Sequence, residues 1–386
     1  MIVTFCEGWG STVTAAVPRG PGVPGERTSL AGTGEDRLVD LLTSRLARRA
    51  GGTRGRLLEV GPGDDAAVLA GPAAGGKVVL STDTLVEGHD FRRDWSAPEE
   101  IGVKVVAQGL ADVASMGARP VAFLLSLAAP GELDVSWALL LADGVADECD
   151  RAGAVVAGGD VSAASSIVLT GTAVGLLEGP AVLRSGARTG DVVALAGRTG
   201  PSAAGLALLA GGVVVGRSGH PELLEAHRAP RPDYAAGTVA AGAGAHALID
   251  VSDGLLRDAS RIAVASGVRI DLDSRALSPD GDLVRAARAV GHSDRDASAT
   301  ARGWVLTGGE DHAFLGCFDP GKALPAGFRP VGRVLGPPPG TGRPGDHSTG
   351  PRGGTGPDGG TWPVATVDGV HWDGPTGWTH FTRRVP

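Results

Sequence analysis

The sequence predicts two domains of mixed helices and strands. Three observations carry that reading. The 386 residues exceed what one core of ordinary size requires. Apolar β-type runs alternate with helical runs along most of the chain. Apolar periodicity then lapses between Glu178 and Gly190, around Arg184-Ser185-Gly186-Ala187. The expected organisation is a flexible Gly/Pro-rich arm over 1–33, an N-terminal domain over 34–178 and a C-terminal domain over 179–386. A disordered Gly/Pro-rich insertion is expected at 336–360, before a final ordered tail.

Taken in order, Leu38, Leu41, Leu42 and Leu46 recur at helical spacing behind Glu35 and Asp36, whose charges suit a helix start. Residues 77–80 read as a strand, and 101–116 as a helix stopped by Gly117. A strand at 121–127, a helix at 136–152 and strands at 154–157 and 167–177 complete the first domain. The second opens with a strand at 191–196. Gly200-Pro201-Ser202-Ala203-Ala204-Gly205 then precedes an Ala/Leu-rich helix, with backbone N–H groups expected to face a phosphate. Residues 255–266 read as a helix and 268–272 as a strand, and strands at 304–306 and 313–318 flank Gly308-Gly309-Glu310-Asp311.

Acidic residues gather where apolar runs end. Ser81-Thr82-Asp83, Gly158-Gly159-Asp160, Asp250-Val251-Ser252-Asp253-Gly254 and Gly308-Gly309-Glu310-Asp311 all read as short acidic turns, joined by Gly63-Asp64-Asp65 and Leu110-Ala111-Asp112. Singly, each has an ordinary explanation. Ser81–Asp83 reads equally as an Asx or helix-capping turn, Asp64-Asp65 as a solvated loop, Asp112 as an exposed helical residue and Glu310 as part of a hairpin. Together they favour a polymetal site, and hard oxygen donors select Mg²⁺ over zinc.

The formal net charge of -8 argues against a nucleic-acid or membrane-surface partner, since both are anionic. It permits an anionic small substrate if cations lie between. There is no Walker A, no Gly-x-Ser-x-Gly and no His-Glu-x-x-His. His89, His227 and His312 read as polar surface groups. Cys6, Cys149 and Cys317 are too scattered for a disulfide framework or a zinc finger, and a reducing cytoplasm fits best. Residues 1–16, with Glu7 among them, make a poor secretory signal, and no run approaches the roughly 20 apolar residues of a membrane span.

One ordered set of segments resembles a known family. Gly61-Pro62-Gly63-Asp64-Asp65-Ala66-Ala67, Ser81-Thr82-Asp83-Thr84-Leu85-Val86-Glu87-Gly88, Leu110-Ala111-Asp112-Val113-Ala114-Ser115-Met116-Gly117-Ala118, Gly158-Gly159-Asp160, Arg184-Ser185-Gly186-Ala187, Asp250-Val251-Ser252-Asp253-Gly254-Leu255 and Gly308-Gly309-Glu310-Asp311 look like thiamine-monophosphate kinase. The order and spacing hold from about 34 to 335, and Gly377-Trp378-Thr379-His380-Phe381 resembles the family's closing segment.

The resemblance implies the two-domain aminoimidazole-ribonucleotide synthetase-like fold: an N-terminal α/β domain pairing across a homodimer, and a C-terminal α+β domain. It implies transfer of the ATP γ-phosphoryl group to thiamine monophosphate, giving thiamine diphosphate. By motif matching, Asp65, Ser81, Thr82, Asp83, Asp112, Asp160, Asp250 and Asp253 would hold Mg²⁺. Gly159, Asp160, Arg184 and Ser252 would contact ATP, and Asp90, Glu310 and Trp378 the substrate; Asp83, Asp253 and Arg184 would serve catalysis. The chain departs from the family pattern at His89-Asp90, where a histidine usually precedes the residue matching Phe91, and at Gly109, usually Asn. Those departures leave two alternatives: a divergent superfamily member acting on another substrate, or a non-catalytic dimer that binds nucleotide or thiamine phosphate.

Overall fold

A computed structural model describes residues 77–213, 219–337, 364–374 and 376–377, with isolated positions 33, 41, 44 and 45 and the backbone of 58–60 and 68–69. The expected arm, most of the helix through Leu38 and Leu46, Asp65, the insertion beyond 337 and Trp378 lie outside the described residues. Two compact units are formed, each from separate stretches. One comprises Met1–Pro72, Thr82–Val105 and Ala122–Thr172, and the other Ala73–Ser81, Val106–Val121 and Ala173–Pro386.

Strands β1 (Leu58–Val60) and β2 (Val68–Leu69) pair antiparallel. A four-stranded sheet follows in the order β3-β6-β4-β5, from β3 (Lys77–Val86), β4 (Arg119–Ala129), β5 (Val155–Ala163) and β6 (Val168–Leu177). β4 and β5 are parallel, so a crossover must join them, and helix α2 (Val135–Ala152) supplies it. Helix α1 (Pro98–Ser115) opens with Pro98, Glu99 and Glu100, a favourable first turn, and is closed by Gly117 at φ 77°. α1 and α2 approach backbone to backbone. A Cβ on Gly144 would lie 1.9 Å from the Glu99 carbonyl oxygen, and one on Gly102 2.3 Å from that of Leu141.

The second sheet has six strands in the order β12-β9-β11-β7-β10-β8. Its members are β7 (Val192–Ala196), β8 (Ala247–Val251), β9 (Arg269–Leu272), β10 (Ala313–Phe318), β11 (Phe328–Leu335) and β12 (Ala365–Val367). β10 is buried along its whole length, and Phe314 pairs with Asp250, which fixes the height of that carboxylate on β8. The helices are α3 (Pro201–Ala210), α4 (Pro221–Arg228), α5 (Ala235–Gly242), α6 (Leu255–Ser266), α7 (Gly281–Ala289) and α8 (Asp294–Thr307). Leu195, Leu208, Leu224 and Phe314 are fully buried, each contributing about 1.5–3 kcal/mol by removal from water. No described helix is long and apolar enough to cross a membrane.

The structure corrects three local expectations. Ser81-Thr82-Asp83 and Gly158-Gly159-Asp160 are not turns but interior stretches of β3 and β5. In β3 the β-branched Thr82 and Thr84 extend an alternation in which 78, 80, 82 and 84 are exposed. In β5 the glycines admit a bulge opposite Phe123 and Leu124, with Gly158 at φ 151°. Residues 304–306 are not a strand. They form the last turn of α8, whose Ser293 N-cap accepts the Asp296 N–H and whose buried Ala297, Ala301 and Val305 recur at helical spacing.

Candidate active site

In the first unit the acidic residues ride on strands. Strand alternation puts Asp83 on the inward face of β3 and Thr82 on the opposite one, where its hydroxyl donates to the Gly171 carbonyl at 3.0 Å. Asp160 lies opposite Ser126 in the β4–β5 register. Gly159 is required by space: a Cβ there would sit 1.8 Å from the Leu125 carbonyl oxygen. Asp90 closes the chain reversal after β3, its carboxylate accepting the Val86 N–H at 2.8 Å while its carbonyl accepts from Lys104 Nζ at 3.0 Å.

In the second unit two clusters form. Ser81, at the end of that unit's first stretch, donates its hydroxyl to Asp112 Oδ2 at 2.6 Å, placing a helical carboxylate beside a strand hydroxyl. The other cluster grows from the junction of β8 and α6. Asp250, 2% exposed, accepts from His312 Nδ1 at 3.2 Å. Asp253 is paired with Arg261 and lies 3.5 Å from Arg257 Nε. Asp258 accepts the N–H groups of Asp253 and Gly254, both at 3.1 Å, and pairs with Arg261 at 2.7 Å. Gly254, at φ 129°, leaves no room for a side chain, since a Cβ would meet the Thr307 carbonyl oxygen at 2.8 Å. Burial and the neighbouring Asp250 charge push the Asp258 carboxyl up to about 7 against the pull of Arg261. For His312, burial opposes the positive charge, but the hydrogen bond to Asp250 and the charges of Asp250, Glu310 and Asp112 outweigh it and raise the pKa.

The Gly308–His312 turn leans on the same junction. The Glu310 N–H donates to the Ser252 carbonyl at 2.7 Å and the His312 N–H to that of Val251 at 2.9 Å. Glu310 and His312 both occupy the left-handed region, at φ 63° and 51°. Non-glycine residues hold that conformation at a cost of about 1–3 kcal/mol each, only where surrounding contacts over-determine it, and such residues concentrate at functional sites. Asp311 supplies one of those contacts. Its carboxylate accepts the Gly200 N–H at 2.6 Å and the Ser202 N–H at 2.9 Å, so the start of α3 that was expected to face a phosphate is taken by a side chain. Burial pushes the Asp311 carboxyl up to about 7, despite those two N–H donors and the nearby His312.

His227 and His312 are not surface groups: they are 6% and 3% exposed. His227 Nδ1 lies 3.2 Å from Ser202 Oγ and 3.3 Å from Glu310 Oε2. Sequence reading missed His227, His312, Asp311, Ser202, Asp258 and Arg261; only the Gly-Pro-Ser helix start and the acidic Gly-Gly-Glu-Asp pointed near them.

Arg184 lies in a loop stapled by Ser266, the last residue of α6. Ser266 Oγ accepts the Gly186 and Ala187 N–H groups and donates to the Arg184 carbonyl, all at 3.1 Å. Ser252 offers its carbonyl to the Glu310 turn, and Gly377 rests on Asp253, where a Cβ would meet the carbonyl oxygen at 2.4 Å. Among the described residues no three His, Cys, Asp or Glu side chains converge into a ready-made metal cage. The donor set nevertheless fits Mg²⁺, because the side chains are carboxylates and hydroxyls and Mg²⁺ binds through one or two carboxylates together with waters and substrate phosphates.

The chain is similar to known proteins. The family model for the AIR synthase related protein, N-terminal domain, matches residues 63–177. The thiamine-monophosphate kinase of Mycobacterium tuberculosis strain CDC 1551 is 43% identical over 328 residues, covering 83% of this chain and 86% of that protein. Among solved structures, thiamine-monophosphate kinase from Stenotrophomonas maltophilia K279a aligns at TM-score 0.68 and 28% identity, covering 85% of this chain and 96% of its own. AaThiL complexed with AMPPCP and TMP aligns at TM-score 0.67 and 28% identity, covering 90% and 97%. The chain has the aminoimidazole-ribonucleotide synthetase-like fold and belongs to the thiamine-monophosphate kinase family.

Proposed function

We propose a division of labour among these residues for the family's reaction, the ATP-dependent phosphorylation of thiamine monophosphate to thiamine diphosphate. ATP is the phosphoryl donor, a reading supported by the kinship with AaThiL bound to AMPPCP and TMP. Asp83, Asp112, Asp160, Asp250 and Asp253, with Ser81 and with Asp65, which lies outside the described residues, hold Mg²⁺; Thr82, facing the other side of β3, contributes through its backbone. When bound, Mg²⁺ offsets the repulsion between two polyanionic substrates and the charge on the transferring group. Asp253 is held in place by its ion pairs with Arg257 and Arg261 beside the β8–α6 junction.

Arg184, Gly159 and Ser252 bind ATP, Arg184 through its charge and the others through backbone. Glu310, with Trp378, which lies outside the described residues, meets the cationic ring system of thiamine monophosphate by charge and stacking. Asp90 keeps the chain reversal that borders the substrate. No covalent enzyme intermediate is needed, because the acceptor is already a phosphate oxygen. The exposed Val78 and Leu80 on the edge strand β3 support pairing of two copies through this sheet, and a cytoplasmic homodimer is the expected form.

The observation that carries this reading is the β8–α6 junction that presents Asp250 and Asp253, on which the backbones of the strained Gly308–His312 turn and of Gly377 both rest. Incubation with ATP, Mg²⁺ and thiamine monophosphate is expected to yield ADP and thiamine diphosphate in equal amounts, and chelation of the metal to stop it. Nucleotide binding without diphosphate formation would instead support the non-catalytic alternative.

A further inference from the structure

Glu310 reaches the site by an improbable route. Its backbone is left-handed, its side chain is one-third exposed, and its Oε2 lies beside a nearly buried imidazole. A carboxylate can only accept a hydrogen bond, so across this 3.3 Å contact the imidazole is the donor when its proton is on Nδ1. The same nitrogen lies 3.2 Å from Ser202 Oγ, and Ser202 is 1% exposed in the first turn of α3.

The imidazole has little freedom. α3 and α4 touch through Gly205, where a Cβ would lie 2.1 Å from the Leu223 carbonyl oxygen and 3.0 Å from His227 Cβ. The start of α3 is meanwhile tied to the residue after Glu310, through the Gly200 and Ser202 N–H groups on Asp311. Ser202 therefore holds Asp311 through its amide and His227 through its hydroxyl. Two neighbouring carboxylates, one aimed outward and one inward, are fixed to the same helix turn.

We propose that His227 is a positioning residue for substrate recognition: with Ser202 and Asp311 it holds the Glu310 carboxylate at the angle that accepts the cationic heteroaromatic part of thiamine monophosphate. This rests on the assignment of Glu310 to the substrate. Its contacts are with Glu310 and with the helix turn that also holds Asp311, so its removal is expected to act chiefly on the substrate that Glu310 meets. Asn is its closest stand-in, because the Asn amide places an N–H near the Nδ1 position.

Steady-state kinetics of thiamine diphosphate formation test the idea. His227→Ala is expected to raise KM for thiamine monophosphate about tenfold, the loss of one charge-assisted hydrogen bond, with KM for ATP and kcat within about twofold. His227→Asn is expected to recover most of that loss. In a Glu310→Gln background, His227→Ala should add little, since the carboxylate charge that His227 orients toward the substrate is already gone. If His227→Ala does not fold, Ser202→Ala and His227→Asn carry the comparison, with a smaller rise in the same KM expected from each.

Equal rises in both KM values, a full His227→Ala effect in the Glu310→Gln background, or no change in KM for thiamine monophosphate would overturn the proposal. Wild-type turnover with a Glu310→Gln effect but no His227 or Ser202 effect refutes the positioning role alone. Failure of Glu310→Gln to alter KM for thiamine monophosphate refutes the assignment beneath it as well.

Discussion

The starts of α3 and α6 are each occupied by a carboxylate that burial pushes up to about 7, but they are built differently. At α6 the carboxylate is Asp258, one turn into its own helix. It accepts the N–H groups of Asp253 and Gly254 and is offset by Arg261, which also pairs with Asp253. At α3 the carboxylate comes from Asp311, 109 and 111 residues along the chain from the amides it accepts, and its nearby charges are His312 and Glu310. The first is a local device that presents Asp253. The second couples distant segments, so the geometry of Glu310 depends on the tertiary fold.

The largest effect is expected at the local device. Asp253→Asn should lower kcat about 100-fold or more, a loss of the size seen when one preorganised electrostatic group leaves an active site. Arg261 keeps Asp258 as a partner, so thermal unfolding should move by only a few degrees. A near-normal kcat would show that Asp253 carries neither metal nor catalysis.

Next comes the long-range clasp. Asp311→Ala strips two amides of their acceptor and should destabilise the protein by about 2 kcal/mol in urea titrations. It should also raise KM for thiamine monophosphate, because the left-handed turn loses an anchor. Unchanged stability would show that α3 caps itself with solvent.

The pH dependence follows from the sign of the shift. A carboxyl at about 7 in the folded protein and near 4 when unfolded binds its proton more tightly when folded. Its contribution to stability is thus greatest below about pH 4 and declines as pH rises to about 7. Urea titrations of wild type and Asp311→Asn between those limits should differ by a pH-dependent amount that the variant, which cannot ionise there, removes. Parallel curves would contradict it.

The smallest effect is at a helix start that touches neither device. Ser293→Ala removes the local cap of α8 and should cost about 1 kcal/mol without altering either KM.

The same contrast explains how much was legible in the sequence. Helix α6 and strand β10 match their expected bounds, because apolar periodicity and flanking glycines mark them locally. Ser-Thr-Asp and Gly-Gly-Asp misled, since small polar residues inside a strand carry the composition of a turn. The acidic motifs were visible as residue types. Their partners were not: the His312–Asp250 bond spans 62 residues, and nothing near His227 in the chain announces Ser202 or Glu310. Sequence thus exposes the carboxylates, while folding supplies the imidazoles and guanidinia that aim them.

Paired kinetics of wild type and Glu310→Gln, with ATP and thiamine monophosphate varied in turn, test the substrate role of Glu310 at its source. Both proteins are expected to form thiamine diphosphate, with KM for thiamine monophosphate raised about tenfold or more in the variant and KM for ATP unchanged. Absence of thiamine diphosphate from wild type, or a variant that differs only in KM for ATP, would contradict it.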